Sequence, residues 1–523
     1  MASQAIAAAP AAKTRAAKTR AAPLTGGALW AAGVLLALAN FVAVLDLSIA
    51  NVSVPNISGA LGASTSQGVW IITSYAVAEA ITVPLTGWLA GRFGAVRTFA
   101  TALIGFGLAS ALCGLAPSLG FLVAFRVIQG VCGGPLMALS QTLLLQIFPP
   151  KQQPAAMGLW AVTTLVAPVC GPILGGVLCD SFGWGSIFMV NVPVAILAGV
   201  LVWRTLARYE GEIRKAPFDA VGLGLLIVWI SALQVLLDLG KERDWFQSPM
   251  IVALAVVAAV GFAAFMIWEL TEKNPIVNLK VFRHRGFSAS MVTLSLTMGA
   301  FFATNVLTPL WLQSNMGYTA TWAGYVTGMI GILAIVSAPI TAQFMTKTDP
   351  RRILFAGVAW LAFTTFMRSH GMSQMTFGQV GIWLFVAGAA MPMFFLPVTT
   401  VALGAVDPGE TADASGLLNF IRTVAGAVAT SIVSTVWENN ATRNHAALAG
   451  AMPNAQASVD SLTGPTMSAS GALGAVNDIV GGQAVMQATN QLFLACSVVF
   501  AIAAALVWIT PRPTRAVDAS AAH

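Results

Sequence analysis

The sequence predicts an all-α membrane protein of fourteen transmembrane helices, two six-helix bundles with two helices inserted between them. Three observations carry this expectation. The 523 residues are 57% hydrophobic and only 9% charged, against roughly 45–50% and about 25% in a soluble globular domain. Apolar stretches of about 20 residues, the length that crosses a bilayer, recur between turn or charge clusters. A weak internal repeat completes the argument: Pro150, Gly158, Leu159 and Leu165-Val166-Ala167 align at constant offset with Pro408, Gly416, Leu417 and Thr423-Val424-Ala425. It pairs the fifth stretch with the thirteenth and leaves the seventh and eighth unmatched, as expected of a two-bundle transporter with an insert.

Taken in order, residues 1–27 are an Ala-rich basic tail carrying the sequence Ala-Ala-Lys-Thr-Arg twice, at 11–15 and 16–20. This tail is expected to be disordered and cytoplasmic. The apolar stretch that follows, 28–50, exceeds a signal peptide's 7–15-residue apolar core and reads as an uncleaved first helix. The first bundle is assigned to 28–208, with span centres near Leu38, Ala80, Leu108, Val131, Val166 and Ile196. Centres near Ile227 and Ala258 define the insert, 217–272. The second bundle is assigned to 286–510, with centres near Met298, Leu333, Ala362, Ala389, Ala425 and Phe500. Within it, 438–488 is rich in Ala, Ser, Gly and Asn and reads as a long, flexible external loop. A second cytoplasmic tail, 511–523, ends the chain.

An even number of spans puts both ends on one side, and the basic residues say which. Most of the 26 Lys and Arg fall in the tails and in loops around Arg92 and Arg97, Lys151, 204–215, 273–285 and 347–352. Only Lys241, Arg243, Arg368 and Arg443 fall on the opposite side, and Arg126 and Arg422 lie inside spans. The positive-inside rule then makes both termini cytoplasmic in a multi-pass membrane protein. The net charge of +7 is spread over short loop clusters, which argues against a nucleic-acid partner. Five cysteines, all within apolar segments and without metal-ligand spacing, imply neither a disulfide framework nor a metal site.

Several short motifs punctuate these spans. Gly171-Pro172-Ile173-Leu174-Gly175-Gly176 places Gly and Pro inside an apolar span, where small residues let two helices approach closely. Gly87-Trp88-Leu89-Ala90-Gly91-Arg92-Phe93-Gly94-Ala95-Val96-Arg97 joins the second and third spans. Leu45-Asp46-Leu47-Ser48-Ile49-Ala50-Asn51 lies in the first span, Arg126-Val127-Ile128-Gln129-Gly130 in the fourth and Asp244-Trp245-Phe246 after the seventh.

Together these resemble the motifs of the EmrB/QacA group of drug/proton antiporters, fourteen-helix members of the major facilitator superfamily. The resemblance implies a major facilitator fold and assigns Gly171, Pro172, Gly175 and Gly176 to the antiporter motif. It assigns Gly87, Arg92, Gly94 and Arg97 to the cytoplasmic loop motif, and it implicates Arg126 in proton coupling. Two positions depart from the pattern: Gly91 stands where an acidic residue is usual, and Ala167 where the antiporter motif's earlier glycine is usual. Gating by a charged pair at Gly91 is therefore not expected.

Chemistry is expected at charges the bilayer disfavours. An ionised side chain at a helix centre costs about 2.5–3.5 kcal/mol, so such residues usually face the bundle interior and serve transport. Asp46 lies about 27 Å along the first span, and Arg126 about 9 Å into a span entering from the opposite side. Such a pair gives a two-state element released by protonation of the carboxylate; a static ion pair fixing helix register is the structural alternative. Glu79, about 15 Å into the second span, is a second proton carrier or a contact for cationic substrate. Arg422, about 16 Å into the thirteenth, and Asn419 on the same face are assigned to substrate. Asp238 and Glu269, near span ends, read as solvated interfacial charges.

The reading is a proton-coupled multidrug efflux transporter, expelling hydrophobic or amphipathic toxic compounds by alternating access. The 15 Trp, 28 Phe and 19 Met suit amphipathic aromatic ligands. No cofactor and no metal are expected. An imported charge crossing 100 mV supplies about 2.3 kcal/mol, against about 1.4 kcal/mol per tenfold gradient of a neutral solute. An exporter of one metabolite or siderophore is the alternative. A membrane-embedded enzyme lacks a clustered nucleophile or metal set, since His284, His370, His445 and His523 lie in loops or at termini. A channel or receptor module is a further class, separable by proton-coupled counterflow. The resemblance also implies a periplasmic adaptor and an outer-membrane channel, as in a tripartite efflux pump.

Overall fold

The computed structural model describes residues 24–149, 152–210, 213, 217–240, 242–407, 410–452 and 468–511. The loop around Lys151, both tails and the segment 453–467 fall wholly or partly outside them. The described chain is helical almost throughout. In order, its helices are α1 (Gly26–Ala60), α2 (Thr65–Thr82), α3 (Thr86–Phe93), α4 (Ala95–Gly114), α5 (Leu119–Ile147) and α6 (Gln153–Phe182). These are followed by α7 (Ser186–Met189), α8 (Asn191–Leu206), α9 (Ala220–Leu239), α10 (Pro249–Thr271), α11 (Arg285–Ser314) and α12 (Ala320–Lys347). The last are α13 (Pro350–Arg368), α14 (Phe377–Gly388), α15 (Ala390–Gly404), α16 (Thr411–Ala451) and α17 (Ala469–Leu506).

Among the described residues, eleven helices are long and apolar enough to cross a membrane, or twelve if the bent pair α2–α3 is one span. That pair turns by 56° around Pro84, whose missing N–H cannot continue the helical ladder. Side-chain caps set several starts. Ser64 and Gln67 form a reciprocal capping box on α2, and Thr376 and Gln379 another on α14. Asp219 caps α9 and Asp349 caps α13 through backbone N–H groups at 2.8 and 3.0 Å.

The segment 438–488, expected to be a flexible loop, is mostly helical. Its described residues belong to α16 through Ala451 and to α17 from Ala469. Ala is the strongest helix former, and the two helices hold each other: Trp437 Nε1 donates to Thr489 Oγ1 at 2.9 Å, and Asn444 to the Ala484 carbonyl at 3.3 Å. Low complexity was mistaken there for lack of structure.

One apolar core belongs to α1–α8 alone, built around Leu36, Phe99, Phe106, Leu136 and Val202. Another joins α11, α13, α15, α16 and α17 to the inserted pair α9–α10, through residues such as Met298, Phe394 and Phe500 with Trp229 and Phe265. On α10, Val256, Val260 and Ile267 are 55–66% exposed, so this helix forms the rim of the molecule. A third core is shared between the bundles: Ile49 and Val52 of α1 with Leu307 and Trp311 of α11 and Ala320 of α12. Cross-bundle packing is also symmetric, since α6 lies against α12 as α16 lies against α2. Exchanging the fifth span with the thirteenth maps one contact onto the other.

We call the face where α1 begins the tail side and the opposite face the far side. Hydrogen bonds between the two bundles lie in the far-side halves. Gln313 Nε2 donates to the Val52 carbonyl at 2.6 Å, and the Thr321 N–H donates to Asp180 Oδ2 at 2.7 Å. Arg422 Nη2 of α16 also touches Met137 Sδ of α5 at 3.1 Å, near mid-depth.

Candidate functional site: a buried charge network in the first bundle

Five helices build the site, α1, α2, α4, α5 and α8. Asp46 lies 21st in α1 and Arg126 eighth in α5, and because these helices run in opposite directions the two side chains reach one level. Arg126 Nη1 meets Asp46 Oδ2 at 2.5 Å, with the two side chains 0% and 1% exposed. Gln129, one turn after Arg126, donates to Asp46 Oδ1 at 3.0 Å while its Oε1 accepts from Arg126 Nη1 at 2.7 Å. Asn191 of α8 donates to the same Asp46 oxygen at 2.8 Å. Ser110 of α4 accepts from Gln129 at 3.2 Å and donates to the Phe188 carbonyl at 2.9 Å.

The guanidinium is gripped from the other side by α2. Its Nε donates to the Ile71 carbonyl at 2.9 Å, and the Tyr75 ring lies 4.3 Å from Arg126 Cζ, a cation–π contact strengthened by the absence of water. Arg126 Nη2 is buried without a hydrogen-bond partner. Breaking such a pair by removing one partner costs about 3–5 kcal/mol, because the other charge stays buried.

Glu79 of α2 is half-buried and lies within electrostatic reach of Arg422 of α16 and of Arg126. It stands between the network of the first bundle and the arginine of the second. Asn419 shares the Arg422 face but bonds back to its own helix, to the Ser415 carbonyl at 3.2 Å.

The glycines of α6 act by close approach. A Cβ on Gly171 would lie 2.3 Å from Ser48 Cβ, and one on Gly175 3.0 Å from the Ile49 carbonyl, both on α1. On the opposite face a Cβ on Gly176 would lie 2.3 Å from the Ala320 carbonyl, and the Pro172 carbonyl fills the space where Gly324 would carry one. The run thus wedges α6 between α1 of its own bundle and α12 of the other. In the loop motif, Gly94 has φ +99° and would drive a Cβ into the Glu210 carboxylate, 2.3 Å away. That carboxylate accepts the Val96 and Arg97 N–H groups at 2.9 and 3.0 Å, capping α4 where the helix dipole favours an anion. Gly87 has open space around its Cα, and Arg92 is exposed.

Two acids are not where their sequence positions suggested. Asp238 is no solvated end charge: Thr73 of α2 and Gln234 each donate to it at 2.9 Å, and Ser431 of α16 donates as well. Glu269 is 0% exposed, because the end of α10 folds against the start of α9. Its Oε2 accepts the Val277 N–H at 3.0 Å, and its Oε1 and the Asp219 Oδ2 crowd the same space beside Gly222. Gln129, Asn191, Ser110, Tyr75 and Glu210 were not singled out in the sequence. Gln129 was findable as the residue one turn from Arg126; Glu210, 113 residues from Arg97, was not.

A polytopic helical protein with two pseudo-symmetric bundles packed together and buried charges within its spans is built as a transporter, not as an enzyme. Residues 36–430 match the model of the Major Facilitator Superfamily, and the chain belongs to that family. It is 42% identical to the multidrug export protein EmrB of Escherichia coli K12, over 94% of this chain and 97% of the relative. It is also 42% identical to the fatty acid resistance protein FarB of Neisseria gonorrhoeae, over 94% and 98%. Among solved structures, a bacterial homologue of the lysosomal transporter Spinster, inward-facing and unoccupied, superposes with a TM-score of 0.62 at 15% identity, over 93% of this chain and 98% of that one. At that identity the likeness concerns the fold alone.

Proposed function

We propose that the chain is a proton-driven exporter of hydrophobic and amphipathic compounds, working by alternating access across a bacterial inner membrane. The observation that carries this is the Asp46 carboxylate, buried against Arg126 and held by Gln129 and Asn191. Protonation discharges Asp46, frees Arg126 and changes the packing of α1 on α5. Glu79, Arg422 and Asn419 line the substrate path, and Gly171, Pro172, Gly175 and Gly176 form the surface on which α6 rocks against α1 and α12. Gly87, Arg92, Gly94 and Arg97 set the loop on the cytoplasmic face.

In this reading α6 and α13, 30 and 19 residues long, are the spans that complete fourteen. The bundles are 28–208 and 286–510 with 217–272 inserted, the termini are cytoplasmic, and the cleft between the bundles opens on the tail side, to the cytoplasm. A periplasmic adaptor and an outer-membrane channel complete the export route. The name of the EmrB relative supports a multidrug range. One observation favours a second reading, export of a single amphipathic anion: Arg422 is a cation beside the cleft, and FarB bears the name of a fatty acid resistance protein.

The test is efflux by reconstituted protein under an imposed pH gradient, comparing wild type with Asp46→Asn and Glu79→Gln. Because Asp46→Asn leaves Arg126 an uncompensated buried cation, Asp46→Asn with Arg126→Gln is measured beside it. Loss of driven efflux with retained substrate binding supports the reading, and unchanged driven efflux in all variants overturns it. Preference for fatty acids over cationic dyes selects the second reading.

A further inference from the structure

The inserted hairpin carries a carboxylate that both bundles hold at once. Gln234 and Asp238 lie one turn apart on α9, facing inward. Asp238 Oδ2 accepts from Thr73 Oγ1 of α2 at 2.9 Å, and its Oδ1 accepts from Gln234 Nε2 at 2.9 Å and from Ser431 Oγ of α16. Gln234 Nε2 also reaches Ser431 Oγ. Thus α2 of the first bundle, α16 of the second and the insert converge on one acid. The junction lies on the far side, where Asp238 is the penultimate residue of α9 and Ser431 stands about 30 Å along α16.

Among the described residues no charge on the neighbouring elements compensates it. On α2 the titratable groups are Tyr75 and Glu79, the latter six residues or about 9 Å from Thr73. On α16 they are Asp413 in the first turn at the tail side, Arg422, about 14 Å from Ser431, and Glu438, Arg443 and His445 beyond it; on α10 Glu269 lies at the tail side, and the turn after α9 carries Glu242, Arg243 and Asp244. None of these bonds to Asp238 among the described residues, so its three donors alone stabilise the ionised form. Far-side opening parts the two bundles, and with them Thr73 from Ser431. One carboxylate cannot follow both, so an ionised Asp238 must surrender at least one charge-assisted hydrogen bond in a water-poor site.

We propose that Asp238 is a second proton-binding site, a clasp that holds the far side closed when ionised and releases it when protonated. The insert is then part of the transport cycle, not a passive addition. The proposal rests on the proton-driven reading above but concerns a different residue, so the two can fail separately.

The test uses the full chain in liposomes with its five native cysteines replaced by alanine and Val52→Cys, 1% exposed in the far-side interface, as the reporter. Maleimide labelling from the far side is followed between pH 8 and 5.5, with each rate divided by that of free cysteine in the same buffer to cancel the loss of reactive thiolate as pH falls, beside pH-driven efflux of ethidium. The parent should label faster as pH falls. Asp238→Asn should label fast at every pH, and Thr73→Val or Ser431→Ala, each removing one donor, should raise labelling at pH 8 about tenfold, the equivalent of one charge-assisted hydrogen bond. Because those two variants keep the acid, they test the clasp even if Asp238→Asn folds poorly. Labelling that stays slow and pH-dependent in all three overturns it. Efflux lost in Asp46→Asn but unaltered in Asp238→Asn also overturns the clasp and leaves the driving reading intact, whereas driven efflux in both variants removes that reading itself.

Discussion

Asn191 of α8 donates to the same carboxylate oxygen of Asp46, at 2.8 Å, that Gln129 of α5 reaches at 3.0 Å. One oxygen thus ties α1 to two other helices, while the second oxygen is left to Arg126. A hydrogen bond to a charged group contributes about 1.5–3 kcal/mol, so Asn191→Leu should lower stability in detergent by about that amount. Thermal unfolding of the purified protein reads it. Gln129→Ala should cost more, since Arg126 Nη1 also loses an acceptor.

Gly176 and Gly324 interlock α6 with α12 across the bundle interface. Overpacking costs about 1–3 kcal/mol, and here a methyl meets backbone that cannot swing away. Gly176→Leu should therefore abolish efflux while each bundle still folds, seen as wild-type expression with transport reduced at least tenfold. Gly87→Ala, with nothing within 4 Å of its Cβ, should behave as wild type in the same assay.

Gly94 pairs a left-handed backbone with a neighbour that occupies its side-chain space. Gly94→Ala should destabilise by about 1–3 kcal/mol through strain and the clash with Glu210. Glu210→Ala should lose only the cap, about 1 kcal/mol. Unfolding midpoints of both and of the double variant would show that the second change removes part of the penalty of the first.

Glu79 and Arg422 sit on opposite bundles and feel each other's charge. Glu79→Arg and Arg422→Glu should each cut efflux severely, and the double exchange should recover part of it, measured as dye efflux from cells matched for expression. No recovery would mean that the two residues act independently.

Much of this architecture is written in local sequence. Apolar length announces most spans, Pro84 the α2–α3 bend, and the Gly171–Gly176 spacing a helix contact, because each depends on neighbours in the chain. The depth of Asp46 and of Arg126 follows from counting residues, which is why their meeting was foreseeable. The partners that make the site were less legible: Asn191 looks like one polar residue in an apolar run until α8 is laid beside α1. Asp238 misled for the same reason, since its distance from a helix end says nothing about Thr73 and Ser431 arriving from 165 and 193 residues away. In α16 and α17 the error ran the other way, because composition hid a helix that pairing with its neighbour stabilises.

Those two helices have a mechanical consequence. At 41 and 38 residues they run about 60 Å each, roughly double the hydrocarbon thickness of a bilayer, and the surplus stands on the far side. The pair is a mast rooted in the second bundle, and a small tilt at its foot becomes a larger sweep at its tip. A label at that tip, outside the transport path, should therefore report a tilt of the pair during efflux.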